Sequence, residues 1–175
     1  VLGAGPIGNL VAQVARSAGA KVLATDISDY RLDIARQCGL ENVVNPQKES
    51  FKDAVRRVFG KQSFKVGFEC VGVEATMTDA IENIAKGGVI VVVGVFGEKP
   101  RVDLGLVQNN ELTLVGTLMY KREDYLKAVE LIKSGEVITA PLMSKHYKMD
   151  EYLEAYRFID QARDRVMKVF IDINP

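Results

Sequence analysis

This 175-residue chain has few of the side chains that build metal sites and disulfide frameworks. It contains two cysteines and one histidine, and neither Cys38 nor Cys70 sits in a Cys-x-x-Cys pair. The sequence therefore argues against a disulfide framework, and a tetrahedral zinc site cannot be built from these residues alone. We expect Cys38 to be a small buried apolar residue. His146 lies in a short extended piece, and we expect no catalytic role for it.

An excess of charge and long apolar runs are also absent. The 23 basic and 23 acidic residues balance, which argues against a nucleic-acid-binding surface and against a polybasic membrane anchor. No apolar run approaches the ~20 residues of a transmembrane helix, and no secretory signal is visible. The chain is 47% apolar, as expected of a globular domain with a core. With so few cysteines, these features favour a cytoplasmic protein.

Short β-branched runs alternate with helical patterns along residues 1–118. We predict strands at VL, KVLATD, NVVN, KVGFECVG, VIVVVGVFG and ELTLVGTLMY. Helices are predicted between them at PIGNLVAQVARSAGA, YRLDIARQCG, SFKDAVRRVFG and EATMTDAIENIAKGG. The run VIVVVGVFG is almost wholly apolar, which is typical of a parallel strand buried on both faces. This order predicts an α/β fold, a doubly wound parallel six-stranded sheet with helices on both faces.

The alternation changes near Met119. An amphipathic helix (KREDYLKAVELIKSGEV), an extended piece (MSKHYK), a further helix (DEYLEAYRFIDQARD) and a last strand (VMKVFIDI) do not continue the series. We interpret residues 1–118 as one domain and residues 119–175 as a segment that belongs partly to another unit.

The first residues, VLGAGPIG, place Gly3, Gly5 and Gly8 in a G-x-G-x-x-G pattern between a strand and a helix. In such a turn the first glycine permits a tight bend. The second lets the backbone approach a ligand, and the third lets the helix pack closely. The N–H groups at the helix start can then bind a pyrophosphate. The alternative is a turn that serves only close packing.

Asp26 ends the strand KVLATD, 18 residues after Gly8 and close to the ~20 expected of a ribose-binding acid. Its carboxylate can accept hydrogen bonds from both ribose hydroxyls and would repel a 2′-phosphate, which favours NAD over NADP. Ile27 and Ser28 follow it, so no basic residue is adjacent. The alternative is a solvated carboxylate at a strand end.

These signals, and then the whole chain, resemble the zinc-dependent medium-chain alcohol dehydrogenase family, most closely its polyol branch of sorbitol, threonine and butanediol dehydrogenases. VLGAGPIG is similar to the dinucleotide turn of that branch, and TDISDYRLDIARQCG to its acidic strand end and following helix. FECVG is similar to its Glu-x-x-Gly strand end, and GGVIVVVGVFGE to the strand behind the nicotinamide. YLEAYRFIDQARDRVMKVFIDI is similar to its C-terminal helix and strand.

The resemblance implies a Rossmann domain of an oxidoreductase that transfers hydride between a secondary alcohol and NAD. It also implies an N-terminal catalytic domain outside this chain, which carries the zinc ligands. We therefore expect no zinc and no dehydrogenase activity for this chain alone. Two other functions stay open, a nucleotide-sensing domain without chemistry and a methyltransferase. The continuation through Pro6 and Ile7 to a third glycine argues against the methyltransferase.

The resemblance also implies a cofactor contact for each of a set of residues. For the pyrophosphate these are Gly3, Gly5, Pro6, Ile7, Gly8 and Lys168. For the adenosine half they are Asp26, Arg31, Cys70, Val71 and Gly72. For the nicotinamide and its carboxamide they are Val93, Gly94, Val95, Thr117 and Met119. Arg31 and Lys168 could instead be solvated side chains. The polyol branch often carries Arg where Met119 stands, which weakens an assignment to sorbitol dehydrogenase.

The strand ELTLVGTLMY is long and apolar and follows the last predicted buried strand. An edge strand presents unpaired N–H and C=O groups to another chain. The resemblance implies that this strand pairs with its own copy across a twofold axis, and we expect a homodimer.

Overall fold

The computed structural model describes residues 1–173. Residues 174–175, the end of the predicted C-terminal segment, lie outside the described residues. The helices are α1 (Pro6–Ser17), α2 (Asp29–Gln37), α3 (Phe51–Phe59), α4 (Glu74–Asn83), α5 (Leu104–Asn109), α6 (Arg122–Lys133) and α7 (Tyr152–Ala162). The strands are β1 (Leu23–Thr25), β2 (Asn42–Val44), β3 (Phe64–Glu69), β4 (Ile84–Val92), β5 (Thr113–Gly116), β6 (Met143–Lys148) and β7 (Lys168–Asp172).

The main sheet is parallel and has the strand order of a dinucleotide-binding fold. β2 pairs with β1, and β3 pairs with β4, which pairs with β5. Leu2 joins the two groups because it bridges Thr25 on one side and Glu69 on the other. The order is therefore β2, β1, Leu2, β3, β4, β5, and the direction in which successive strands are added to the sheet reverses beside Leu2. This confirms the predicted α/β Rossmann class.

The helices cover both faces of this sheet, as predicted. One hydrophobic cluster joins α3 and α4 to the sheet and contains Leu2, Ile81 and Ile90. A second cluster joins α1 and α2 to β1 and is built from small and branched residues such as Ala12 and Leu32. None of the helices within residues 1–173 is long and apolar enough to cross a membrane.

The six-strand count is not confirmed, because the first strand position holds a single bridging residue, Leu2. The helix predicted to run to Gly88 ends at Asn83, and β4 begins at Ile84. Ile84 is buried and pairs with Phe64, and the register then shifts by the time Val89 pairs. Burial of Ile84 against β3 therefore outweighs the helical pattern of this stretch, and residues 85–88 form the irregular part of the strand.

The strand predicted from ELTLVGTLMY is also shorter, because β5 ends at Gly116 and residues 117–120 follow without regular structure. Likewise β4 ends at Val92 rather than at Gly97. The short helix α5 was not predicted. It begins after Asp103, whose carboxylate accepts a hydrogen bond from the Leu106 N–H, a common way to start a helix.

The C-terminal residues form a second, two-stranded parallel sheet of β6 and β7. Gln13 on α1 ties this part to the main domain, since its side chain donates to the Ile138 carbonyl (3.0 Å) and accepts from the Ile138 N–H (2.6 Å). Ser28 donates to the Asp164 carbonyl at 3.2 Å. The division between residues 118 and 119 stays a prediction.

Candidate functional site

The glycine turn lies at the carboxyl ends of the parallel strands, and the surrounding structure constrains its three glycines to different degrees. Gly3 has φ +96°, and a Cβ there would lie 2.7 Å from Val71 Cγ2. A Cβ on Gly8 would overlap the Gly3 carbonyl. Both positions therefore need glycine for the fold itself.

Gly5 differs, because nothing in the described chain requires it to be glycine. Its φ of −62° and ψ of −178° are extended values that other residues adopt. A Cβ there would meet only Arg31 Nη1, at 3.9 Å, beyond its chain neighbours. Close packing therefore explains Gly3 and Gly8 and leaves Gly5 unexplained. A missing side chain at Gly5 keeps the first N–H groups of α1 accessible to a ligand.

Asp26 holds the glycine turn to the end of β1. Its Oδ2 accepts from the Ala4 N–H and its Oδ1 from the Ser28 N–H, both at 2.9 Å. The residue is 8% exposed, so it is not the solvated carboxylate of the alternative interpretation. A carboxylate can accept about four hydrogen bonds, which leaves acceptor capacity for a ligand hydroxyl.

Arg31 on α2 lies beside the Asp26 carboxylate. Its Nη1 is 3.8 Å from Asp26 Oδ2, and its side chain is 31% exposed. Its Nε is buried and has no hydrogen-bond partner among residues 1–173. A buried donor without a partner is costly unless a ligand or water satisfies it. Gly5, Asp26 and Arg31 thus form one group of atoms that fits an adenosine ribose and a pyrophosphate.

The carboxyl end of β3 continues this crevice. Segment 70–72 lies against the glycine turn, since the Cys70 N–H donates to the Leu2 carbonyl at 2.8 Å. Val71 is 44% exposed, and its Cγ2 lies beside the tight bend at Gly3. Burial raises the pKa of the Cys70 thiol to about 11, so at neutral pH this cysteine is a protonated, weakly reactive group.

Segment 93–95, after β4, lies next to segment 70–72. Gly72 has φ +83°, and a Cβ on it would overlap the Val95 main chain. A Cβ on Gly94 would in turn overlap Gly72 and lie 2.6 Å from Glu69 Oε2. The two segments therefore touch main chain to main chain, and Val95 is 80% exposed beside them. The predicted residues of β3 and β4 are thus brought together.

The remaining residues that were predicted to contact the cofactor are Pro6, Ile7, Thr117, Met119 and Lys168. Pro6 and Ile7 form the first turn of α1, and Ile7 is exposed. The Thr117 N–H donates to the Val92 carbonyl at 3.1 Å, which keeps Thr117 beside the end of β4. Met119 is exposed. Lys168 begins β7 with an exposed side chain, and no contact described within residues 1–173 links it to the glycine turn.

Glu69 and Thr76 were missed as site residues. Glu69 is fully buried at the end of β3, and its Oε1 accepts a hydrogen bond from the Thr76 hydroxyl at 2.7 Å. The sequence signal was a carboxylate at the end of the strand FKVGFE, with Gly72 three positions later. That signal alone does not tell a buried carboxylate from one that points into solvent.

His146 lies in the second sheet. Its Nδ1 is 3.0 Å from Asp172 Oδ1, and its ring stacks on Phe170. Within residues 1–173, no group of three His, Cys, Asp or Glu side chains could hold a metal ion. The described residues therefore do not fit zinc, and we assign none of them to it.

A cavity of about 340 Å³ lies at the opposite, amino-terminal ends of β1 and β3. Phe51, Phe59 and Phe64 line it together with Val1 and Leu23. Its lining is mostly apolar and offers no converging set of polar groups for a dinucleotide. The polar crevice at the carboxyl ends is therefore the candidate site, as expected for an open parallel sheet.

Residues 6–134 match the family model described as zinc-binding dehydrogenase, and the chain belongs to this family. L-threonine 3-dehydrogenase of Colwellia psychrerythraea is 37% identical over an alignment of 176 positions, which covers 98% of this chain and 50% of that protein. The chain therefore spans about half the length of the curated relatives it matches.

Solved structures agree with this membership. The crystal structure of L-idonate 5-dehydrogenase from Escherichia coli aligns with a TM-score of 0.85 at 26% identity, over 98% of this chain and 49% of that one. The structure of a zinc-binding dehydrogenase from Sinorhizobium meliloti, bound to NADP, aligns with a TM-score of 0.79 at 26% identity. It covers 88% of this chain and 46% of that one.

Proposed function

We propose that this chain is the NAD-binding part of a zinc-dependent alcohol or polyol dehydrogenase, which transfers hydride between a secondary alcohol and NAD. The observation that carries the proposal is the group formed by Gly5, Asp26 and Arg31. Gly5 leaves the start of α1 open although the fold does not need glycine there. Arg31 carries a buried donor without a partner among residues 1–173. Both features suit a dinucleotide placed across the glycine turn.

The chain's residues bind and orient the cofactor. The N–H groups at the start of α1 hold the pyrophosphate, which the positive end of the helix dipole favours. Asp26 accepts from the adenosine ribose, and Arg31 lies beside it. Segment 70–72, which the resemblance assigns to the adenosine half, touches segment 93–95 main chain to main chain. We therefore propose that both segments, with Thr117, present main-chain groups to the nicotinamide half. The bound nicotinamide supplies hydride transfer.

The substrate is proposed as a small hydroxyl-bearing molecule. Its support is the name of the relative at 37% identity, L-threonine 3-dehydrogenase, and L-threonine is the first compound to test. In the whole protein we place the catalytic zinc and its ligands outside this chain, and we place the protein in the cytoplasm.

We propose NAD rather than NADP as the cofactor. We expect the 2′-phosphate of NADP to approach the buried Asp26 carboxylate, and two neighbouring negative charges repel each other. Arg31 is the only basic group described beside it, and it is already 3.8 Å from Asp26 Oδ2. The pair is therefore close to neutral, and we expect it to prefer a ribose hydroxyl to a phosphate.

Calorimetry with NAD, NADP and S-adenosylmethionine tests this function. We expect NAD to bind more tightly than NADP, and S-adenosylmethionine not to bind. In Asp26→Ser the freed Arg31 should attract the 2′-phosphate, and the NAD-to-NADP affinity ratio should fall about tenfold or more, or about 1.4 kcal/mol. The ratio is read within one preparation, so a loss of folded protein cancels.

Asp33→Ser is the matched control for this change. Asp33 is exposed on α2, the helix that carries Arg31, and pairs with Arg36, so the ratio should stay at its wild-type value. An unchanged ratio in Asp26→Ser would remove Asp26 from the account of cofactor choice. Tight binding of S-adenosylmethionine would favour the methyltransferase.

We also propose that the whole protein forms a homodimer through β5. This strand lies at the edge of the sheet, where it pairs with β4, and its Leu114 and Val115 are 39% and 42% exposed. Its outer edge therefore offers backbone groups and apolar side chains to a second copy.

Proline at Leu114 tests this dimer. The Thr117 N–H donates to the Val92 carbonyl, so the N–H groups of Val115 and Thr113, two and four residues earlier, also face β4, whereas the Leu114 N–H faces the free edge. Leu114→Pro removes this outward donor and should weaken the dimer, as measured by light scattering across a concentration series. A wild-type chain that is monomeric at micromolar concentration would contradict the dimer proposal.

A further inference from the structure

We propose that Glu69 is a positioning residue for the nicotinamide end of the cofactor. The inference rests on the proposed function, because it names the group that holds two of the cofactor-facing segments in place. Glu69 is the last residue of β3 and is fully buried. It is the only acidic side chain of residues 1–173 with no exposed surface.

The carboxylate fixes the segment that follows β3. Its Oε1 accepts from the Val71 N–H and the Gly72 N–H, both at 2.9 Å, and from the Thr76 hydroxyl at 2.7 Å. Three donors thus converge on one oxygen, and each of them is a backbone or hydroxyl group that this side chain holds in place. The Glu69 side chain therefore fixes the backbone conformation of segment 70–72.

The main chain of the same residue fixes the segment that follows β4. The Glu69 carbonyl accepts from the Val93 N–H at 2.9 Å and from the Gly94 N–H at 2.8 Å. One residue thus holds the ends of two neighbouring strands together at the place where main-chain groups face the nicotinamide half.

The second carboxylate oxygen shows that this role is more than a turn-forming one. Glu69 Oε2 is buried and has no hydrogen-bond partner among the described residues 1–173. It points toward Gly94, where an added Cβ would lie 2.6 Å from it. A turn needs only Oε1. The unpaired Oε2 lies next to Gly94, so the Glu69 side chain bears on segment 93–95 as well as on segment 70–72.

Glu69→Gln separates these effects with little change in shape. The amide oxygen can still accept from the three donors, while the amide nitrogen places two donors against Gly94 where no acceptor is described. We expect NAD affinity to fall about tenfold. Affinity for ADP-ribose, which lacks the nicotinamide, should fall by at most about threefold, because the group formed by Gly5, Asp26 and Arg31 is untouched.

Glu74→Gln is the matched control. Glu74 begins α4, is partly exposed and pairs with Arg101, so the same substitution there should change neither affinity. Thr76→Val is the second variant, since it removes one donor to Oε1 and keeps the carboxylate. It should lower NAD affinity about threefold without changing ADP-ribose affinity, and it decides the matter if Glu69→Gln does not fold.

The ratio of NAD to ADP-ribose affinity is the readout, because a general loss of structure lowers both affinities together. A ratio that falls in Glu69→Gln or in Thr76→Val, and not in Glu74→Gln, supports the proposal. A ratio unchanged in both test variants overturns it while the proposed function stands. If the wild-type chain binds neither NAD nor ADP-ribose, the proposed function is wrong, and this inference is then wrong as well.

Discussion

Replacing Gly5 with alanine should separate ligand binding from folding. Ala adopts the Gly5 dihedral angles without strain, and the lower entropy of the unfolded chain stabilises by about 0.4–1 kcal/mol. Gly5 is also the N-cap of α1, where Ala is less favourable than Gly by about 0.5–1 kcal/mol. The two contributions offset each other. We therefore expect the free energy of unfolding to stay within about 1 kcal/mol of wild type.

Cofactor binding should respond very differently. The added methyl would stand in the open space before the start of α1, where a pyrophosphate approaches the helix N–H groups. Losing one or two hydrogen bonds to a charged group costs about 1.5–3 kcal/mol. At 1.4 kcal/mol per factor of ten, NAD and ADP-ribose should both bind about ten- to a hundredfold more weakly.

Thermal unfolding and calorimetry on Gly5→Ala, with Gly3→Ala as comparison, measure the two effects. Gly3→Ala should lose at least about 2 kcal/mol of stability, because Gly3 has φ +96° and its Cβ would meet Val71. A Gly5→Ala protein that binds NAD as tightly as wild type would refute the reasoning. So would one that unfolds as readily as Gly3→Ala.

Two further outcomes follow from buried groups. With its pKa raised to about 11 from 9.0, the Cys70 thiol should react with iodoacetamide at pH 8 about a hundredfold more slowly than a free thiol; mass spectrometry that finds equal rates would contradict this. Gln13→Leu should lower the free energy of unfolding by about 2–4 kcal/mol, because it leaves both backbone groups of Ile138 without their partner, whereas a change below 0.5 kcal/mol would show that this tie adds nothing.

The parts of the fold that were predictable depend on local patterns. The glycine spacing of the turn and the position of Asp26 are read along the chain, and both lie at the carboxyl ends of parallel strands as expected. The alternation of β-branched runs and helices likewise predicts the sheet class, because each unit is a strand followed by its own crossover helix.

The parts that were not predictable depend on contacts between distant residues. Whether Ile84 ends a helix or begins a strand is decided by its burial against Phe64. The proposed role of Glu69 depends on the ends of β3 and β4 meeting, which brings Gly94 next to its carboxylate. Asp26 was assigned to the ribose alone, and its bond to the Ala4 N–H appears only when the turn is folded.

Chemical-shift mapping of NAD binding to the labelled chain tests the central claim most directly. Backbone amide signals of residues 3–5, 7–8, 26–31, 70–72 and 93–95 should shift together as NAD is added. Signals of Phe51, Phe59 and Phe64, which line the apolar cavity at the other end of the strands, should stay in place. Shifts confined to the cavity residues, or no shifts at millimolar NAD, would contradict a cofactor site at the carboxyl ends of the sheet.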